Sequence, residues 1–167
     1  MRGSYGLAAN RRANSNDDPV MAAMAEILGI DHIYIAVSNL PRSEEFYDSV
    51  MSALGFRKNS FTIGEEPHIN YFNRQFGFVI RPARSKTPHD SYAPGLHHFC
   101  FRVETEQHVS AIGAQLRING IETSDPQLYP EYAPDYFACF FSDPDGIRFE
   151  VTNYRAERRQ RHDRWND

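Results

Sequence analysis

The sequence predicts an α+β fold built from two tandem βαβββ modules, and two observations support this prediction. Residues 29–33, Gly-Ile-Asp-His-Ile, recur as Gly-Leu-His-His-Phe at residues 95–99, which indicates an internal repeat of about 65 residues. After each copy, one segment of helical periodicity precedes three short strand-like segments. The chain is 41% hydrophobic and 13% aromatic, which is enough apolar material for a packed core.

The first predicted module begins with a strand at residues 30–37. Side chains alternate along a strand, so Ile33, Ile35 and Val37 share one face, and His32 lies on the other. A helix is expected from Leu40, because Phe46, Val50 and Leu54 repeat every four residues and Gly55 follows as a stop. Three short strands are then expected, at residues 61–63, 68–72 and 76–80.

The second predicted module repeats this plan. A strand at residues 95–103 precedes a helix at residues 104–118, whose apolar face holds Val109, Ile112 and Leu116. Three further strands are expected, at residues 127–129, 137–141 and 147–152. The last two flank the turn Ser-Asp-Pro-Asp-Gly, in which Pro and Gly favour a tight reversal.

These patterns divide the chain into five parts. Residues 1–26 are polar and aperiodic and are expected to form a disordered tail. The modules occupy residues 27–81 and 95–154, joined by a polar, proline-rich linker at residues 82–94. Residues 155–167 form a basic tail, expected to be a solvated helix or to pack on a partner subunit.

Composition excludes several classes of protein. The formal net charge is −4, which argues against nucleic acid binding, since phosphate contacts require a basic surface. No apolar run reaches the roughly 18 residues that a membrane helix needs, so no membrane partner is expected. Cys100 and Cys139 form no CxxC motif, so we expect two reduced core residues and a cytoplasmic location.

Three potential metal ligands share the polar faces of the predicted sheets. His32 and His98 occupy equivalent positions of the repeat, and Glu150 lies on the last strand. A single strand histidine is more often structural, but two at matched positions together with a carboxylate indicate a metal site. This donor set suits one divalent ion, Fe, Mn, Zn or Ni, and leaves positions open for a substrate.

The repeat, the strand-initial histidines and residues 143–150, Asp-Pro-Asp-Gly-Ile-Arg-Phe-Glu, resemble the vicinal-oxygen-chelate superfamily of glyoxalases, bleomycin resistance proteins and extradiol dioxygenases. The resemblance covers residues 28–154. It implies a curved, U-shaped mixed sheet with helices on its outer face, around one metal that binds two adjacent substrate oxygens. His32, His98 and Glu150 match the metal positions of that family.

One position departs from the glyoxalase I pattern. Aligning residues 77–81 with residues 146–150 places Arg81 where a fourth ligand is expected, and a cation cannot bind a metal ion. Arg81, together with Arg148 and Tyr34, is instead a candidate contact for an anionic small-molecule substrate. The loop before the penultimate strand offers four candidate acid–base groups, of which Tyr132 is favoured over Tyr129, Glu131 and Tyr136.

Three further histidines are not expected to bind the metal. His97 points away from His98 and is expected to be packed or hydrogen-bonded, whereas His68 and His89 are expected at the surface or rim.

The sequence therefore predicts a metal-dependent lyase, isomerase or transferase of the glyoxalase or fosfomycin-resistance type. An Fe(II) extradiol-type dioxygenase and a metal-free bleomycin-resistance-type binding protein are the alternatives. A homodimer is expected from the resemblance, and pairing of the modules within one chain or between two chains is left open.

Overall fold

A computed structural model describes residues 27–165, so the predicted N-terminal tail, residues 1–26, lies outside the described residues. The first module contains β1 (His32–Val37), α1 (Leu40–Ala53), β2 (Arg57–Ile63), β3 (Glu66–Phe72) and β4 (Gly77–Pro82). The second contains β5 (His98–Val103), α2 (Glu106–Ile118), β6 (Gln127–Leu128), β7 (Phe137–Ser142) and β8 (Arg148–Asn153). A short helix, α3 (Ala156–Asp163), follows in the basic tail.

Each module forms its own four-stranded mixed sheet. The strand orders are β1-β4-β3-β2 and β5-β8-β7-β6, so the same topology occurs twice. In each sheet the first strand pairs parallel with the last, and the remaining pairs are antiparallel. This arrangement confirms the predicted α+β class. The two sheets are separate, and β1 is not hydrogen-bonded to β5.

Side-chain caps determine where both long helices begin. The Asn39 side chain accepts a hydrogen bond from the Arg42 amide at the start of α1, with Pro41 in the first turn. Thr105 caps α2 by accepting from the His108 amide, which explains why this helix begins at Glu106 rather than at 104.

The two modules share one hydrophobic core. The Phe78 ring of the first sheet lies 5.8 Å from that of Phe99 and 6.1 Å from that of Phe149, both in the second sheet. Tyr47 of α1 is fully buried between Phe78 and Phe149. Since the apolar faces of both sheets meet in this core, the polar faces that carry His32 and His98 are turned away from it.

The Asp-Pro-Asp-Gly turn of the second module docks on the start of α1. Asp145 accepts hydrogen bonds from the Ser38 amide at 2.7 Å and from the Arg42 guanidinium at 2.6 Å. Asp143 accepts from the amides of Asp145 and Ile147 and from the Tyr47 hydroxyl, at 2.8 to 2.9 Å. Burial raises the pKa of Asp143 above its ordinary value. The turn therefore joins the modules as well as reversing the chain.

Candidate active site

His98 and Glu150 come together on the polar face of the second sheet. Their strands β5 and β8 are adjacent, with His98 opposite Arg148 and Glu150 opposite Cys100. The Nε2 atom of His98 lies 3.6 Å from Oε2 of Glu150. The Glu150 side chain is only 4% exposed, whereas that of His98 is 41% exposed, so the carboxylate forms the floor of the site.

Two neighbours orient this pair. Tyr136 donates a hydrogen bond from its hydroxyl to Oε1 of Glu150, which leaves Oε2 facing His98. Burial, followed by the contact with the Glu150 carboxylate, raises the pKa of Tyr136, so the phenol stays a protonated donor. His97 and His98 share a hydrogen bond between their Nδ1 atoms, 2.7 Å apart, which leaves Nε2 of His98 directed at Glu150. His97 is thus hydrogen-bonded, as predicted, but its partner is His98 itself, so the expectation that His97 points away from His98 was wrong.

A cavity of about 280 Å³ opens above the pair. Its walls are largely aromatic and include Tyr132, Tyr136 and Phe140, and Arg148 contributes a cation. Tyr132 is 62% exposed, and its ring stacks on Tyr129 at 5.8 Å. Two of the predicted substrate or acid–base residues, Arg148 and Tyr132, therefore line the same cavity as His98 and Glu150.

His32 lies on the other sheet. Its side chain is 56% exposed, and its Nδ1 atom lies 2.7 Å from Oδ2 of Asp31. The Tyr34 ring contacts it edge-on at 5.3 Å. Within residues 27–165, no three His, Cys, Asp or Glu side chains are close enough together to hold a metal ion. One chain therefore brings together two of the three predicted ligands.

The strand register corrects the alignment that paired Arg81 with Glu150. In the first sheet Tyr34 lies opposite Val79, and in the second Cys100 lies opposite Glu150. Val79 is therefore the counterpart of Glu150. The alignment failed because it matched Gly77, which is inside β4, with Gly146, which has a φ of +84° in the turn before β8.

Arg81 belongs to a different part of the molecule. It lies opposite Ala36, which is four residues from His32 along β1. At the rise of a strand, Ala36 and His32 are roughly 13 Å apart. Its guanidinium forms an ion pair with Glu66, which also binds Arg84 at 2.8 Å.

Two expectations about other side chains were wrong. His68 is 2% exposed rather than at the surface, because Phe61 of β2 stacks over its ring at 5.0 Å and Tyr34 covers its edge. Cys139 is buried as predicted, but Cys100 is exposed beside Glu150 instead of lying in the core.

Comparison with known families agrees with this fold. The profile of the Glyoxalase/Bleomycin resistance protein/Dioxygenase superfamily matches residues 29–151, and the chain belongs to this superfamily. In the described part of the chain, no helix is long and apolar enough to cross a membrane.

Several solved structures share the architecture. A glyoxylase/bleomycin resistance protein/dioxygenase domain from Frankia sp. EAN1pec has a TM-score of 0.64 at 19% identity, covering 78% of this chain and all of its own. A glyoxalase family protein from Enterococcus faecalis has a TM-score of 0.58 at 27% identity, covering 77% of this chain and 98% of its own.

A third neighbour is a mutant of the fosfomycin resistance protein FosX from Listeria monocytogenes, in complex with Mn(II) and 1S,2S-dihydroxypropylphosphonic acid. Its TM-score is 0.60 at 17% identity, covering 80% of this chain and 98% of its own. At this identity the likeness concerns the fold.

Proposed function

We propose that this protein is a metal-dependent enzyme of the glyoxalase or fosfomycin-resistance type, acting as a lyase, isomerase or transferase. Its substrate is a small anionic molecule with two adjacent oxygens. The observation that carries this proposal is the His98–Glu150 pair at the floor of an open cavity, with the carboxylate buried and the imidazole facing it at 3.6 Å.

The donor set of this pair fits a divalent ion. Two ligands at about 2.1 Å from a metal with tetrahedral angles lie roughly 3.4 Å apart, close to the observed separation of Nε2 and Oε2. Imidazole and carboxylate together suit Fe, Mn, Zn or Ni. The Mn(II) complex of the FosX neighbour supports a metal in this fold.

The third ligand, His32, comes from a second copy of the chain, so the metal site forms in a homodimer. His32 and His98 are equivalent positions of the two modules, yet each sheet turns its polar face away from the shared core. In addition, β1 and β5 each pair with only one strand among the described residues, so each has a free edge for a partner. Both observations favour pairing between chains over pairing within one.

A metal held by these residues would supply Lewis acidity to a substrate that binds it through adjacent oxygens. Tyr136 holds the Glu150 carboxylate in place. Arg148 and Tyr34 bind the anionic part of the substrate. Tyr132, which lines the cavity, acts as the acid–base group that transfers a proton to or from the substrate. Arg81 is too far along its strand to reach the metal, and would contact only an extended substrate.

A second candidate is an Fe(II) extradiol-type dioxygenase, which the aromatic cavity walls favour. Tyr132, Tyr136 and Phe140 offer faces and edges against which a catechol ring could pack. Oxygen consumption with catechols in the presence of Fe(II) would support the dioxygenase activity over the lyase, isomerase or transferase activity.

Metal analysis of the purified full chain tests the proposal. We expect about one divalent ion per chain, with most of it lost in His98→Ala and in Glu150→Ala. His162→Ala, which removes an exposed histidine of α3, is the matched control and should retain the metal. Wild-type metal content in both site variants would refute the site. Stoichiometric binding of bleomycin by metal-free protein would support the binding-protein alternative.

A further inference from the structure

A second cavity, of about 780 Å³, lies where the end of β4 and the following linker meet the Asp-Pro-Asp-Gly turn. Four cationic side chains line it: Arg42 from α1, Arg81 from β4, and Arg84 and Lys86 from the linker. It shares no lining residue with the cavity above His98 and Glu150.

The charges around this cavity are unbalanced. Arg42 is paired with Asp145, and Arg81 and Arg84 share the single carboxylate of Glu66. Lys86 forms no ion pair with any residue between 27 and 165. Four cations thus face two carboxylates, and the excess of two positive charges matches a dianionic ligand.

Arg81 has a further unmet requirement. Its Nε atom is buried and has no hydrogen-bond partner among the described residues. An unsatisfied buried donor is destabilising, and an acceptor oxygen that reached the guanidinium would offset this penalty. Arginine forks bind phosphate oxygens in a planar, two-point geometry, which a chloride ion cannot reproduce.

The cavity is also built by both modules. Pro144, Asp145 and Ile147 close one side of it, and residues 81–89 close the other. A ligand bound there would contact the first module, the linker and the turn of the second module at once, so it would stabilise their packing.

We propose that this cavity is a binding site for a small phosphate-bearing molecule, separate from the candidate metal site. The phosphate group is bound by Arg81, Arg84 and Lys86, and Arg42 adds positive charge behind them. The proposal does not depend on metal binding, and it gives Arg81 a role that its distance from His32 denies it in the metal site.

Inorganic phosphate is the probe that tests this site, titrated into the full chain by calorimetry at constant ionic strength set with chloride. We expect saturable binding and a rise in the unfolding temperature. The double variant Arg84→Gln/Lys86→Gln should bind at least about tenfold more weakly. Both side chains are exposed, so this variant should fold. Arg158→Gln, which removes an exposed arginine of α3, should bind as wild type does.

His98→Ala separates this site from the metal site. It should bind phosphate as wild type does even if it has lost its metal, so each proposal can fail alone. Absence of saturable binding, equal binding by the double variant, or loss of binding in His98→Ala alone would each overturn the proposal.

Discussion

The hydroxyl of Tyr136 donates a hydrogen bond to Oε1 of Glu150, and this contact joins the loop before β7 to the floor of the candidate active site. The loop residue thereby fixes which carboxylate oxygen faces His98, at 3.6 Å from Nε2. The Arg155 guanidinium lies over the Tyr136 ring, 4.8 Å from its centre, and helps to hold the ring in this orientation. Tyr136 is thus a positioning residue for the proposed ligand Glu150.

Replacing Tyr136 by Phe should weaken metal binding without abolishing it. Loss of a hydrogen bond to a ligating carboxylate typically costs 10–100-fold in affinity, so we expect a fall of about 10-fold or more in titrations with Mn²⁺ or Zn²⁺. Tyr132→Phe is the matched control, because the exposed Tyr132 makes no hydrogen bond to Glu150. Equal losses in the two variants would show that Tyr136 does not act through Glu150.

Mixing two variants that each lack one proposed metal ligand tests whether the site is shared between chains. If His32 comes from one subunit and His98 with Glu150 from the other, His32→Ala and His98→Ala chains will form one intact site in each mixed dimer. Equal amounts that exchange freely should recover about a quarter of the wild-type metal content. Metal analysis after subunit exchange measures this recovery.

The pair His98→Ala and Glu150→Ala is the control for that experiment. Both changes fall in the same half of the site, so every mixed dimer lacks a ligand in each site, and no metal should be recovered. A site formed within one chain would give no recovery in either mixture.

Removing the Asp145 carboxylate should loosen the contact between the modules. Asp145→Ala deletes the acceptor of the Ser38 amide and of the Arg42 guanidinium, and the Asp145 side chain is only 13% exposed. We expect the free energy of unfolding in urea to fall by about 1–2 kcal/mol. Asp125→Ala, at a carboxylate that is 95% exposed, should change it by less than about 0.5 kcal/mol. Similar losses in both variants would contradict a specific role for Asp145.

Asp143 should make stability depend on pH in the acid range. Burial raises its pKa in the folded state, so the folded chain holds the proton more tightly than the unfolded chain does. Its contribution to stability is therefore full below the unfolded pKa, and it is lost as the pH rises through the raised folded pKa. Asp143→Asn cannot titrate, so the stability of wild type minus that of the variant should decrease with rising pH. Denaturant unfolding at a series of acidic pH values measures this difference, and an increase would refute the assignment.

Local patterns in the sequence determined much of this protein. Alternation along β1 correctly separated His32 and Tyr34 from the buried Ile35 and Val37, because a strand can bury only one of its faces here. The repeat of Gly-x-x-His identified both modules, and spacing of apolar residues located both long helices close to their observed bounds. These features depend on neighbours within one element, which a sequence displays directly.

Only the tertiary structure decided which side chains meet. Pairing of β1 with β4 showed that Val79, and not Arg81, is the counterpart of Glu150, since register depends on hydrogen bonds between strands. Stacking of Phe61 buried His68, and the loop carried the Tyr136 hydroxyl to Glu150, across distances that no local period encodes. The sequence identified the residue types, histidine and glutamate, that are candidates to bind a metal ion. The shared core of the two modules determined that one chain assembles His98 with Glu150 and leaves His32 on a separate sheet.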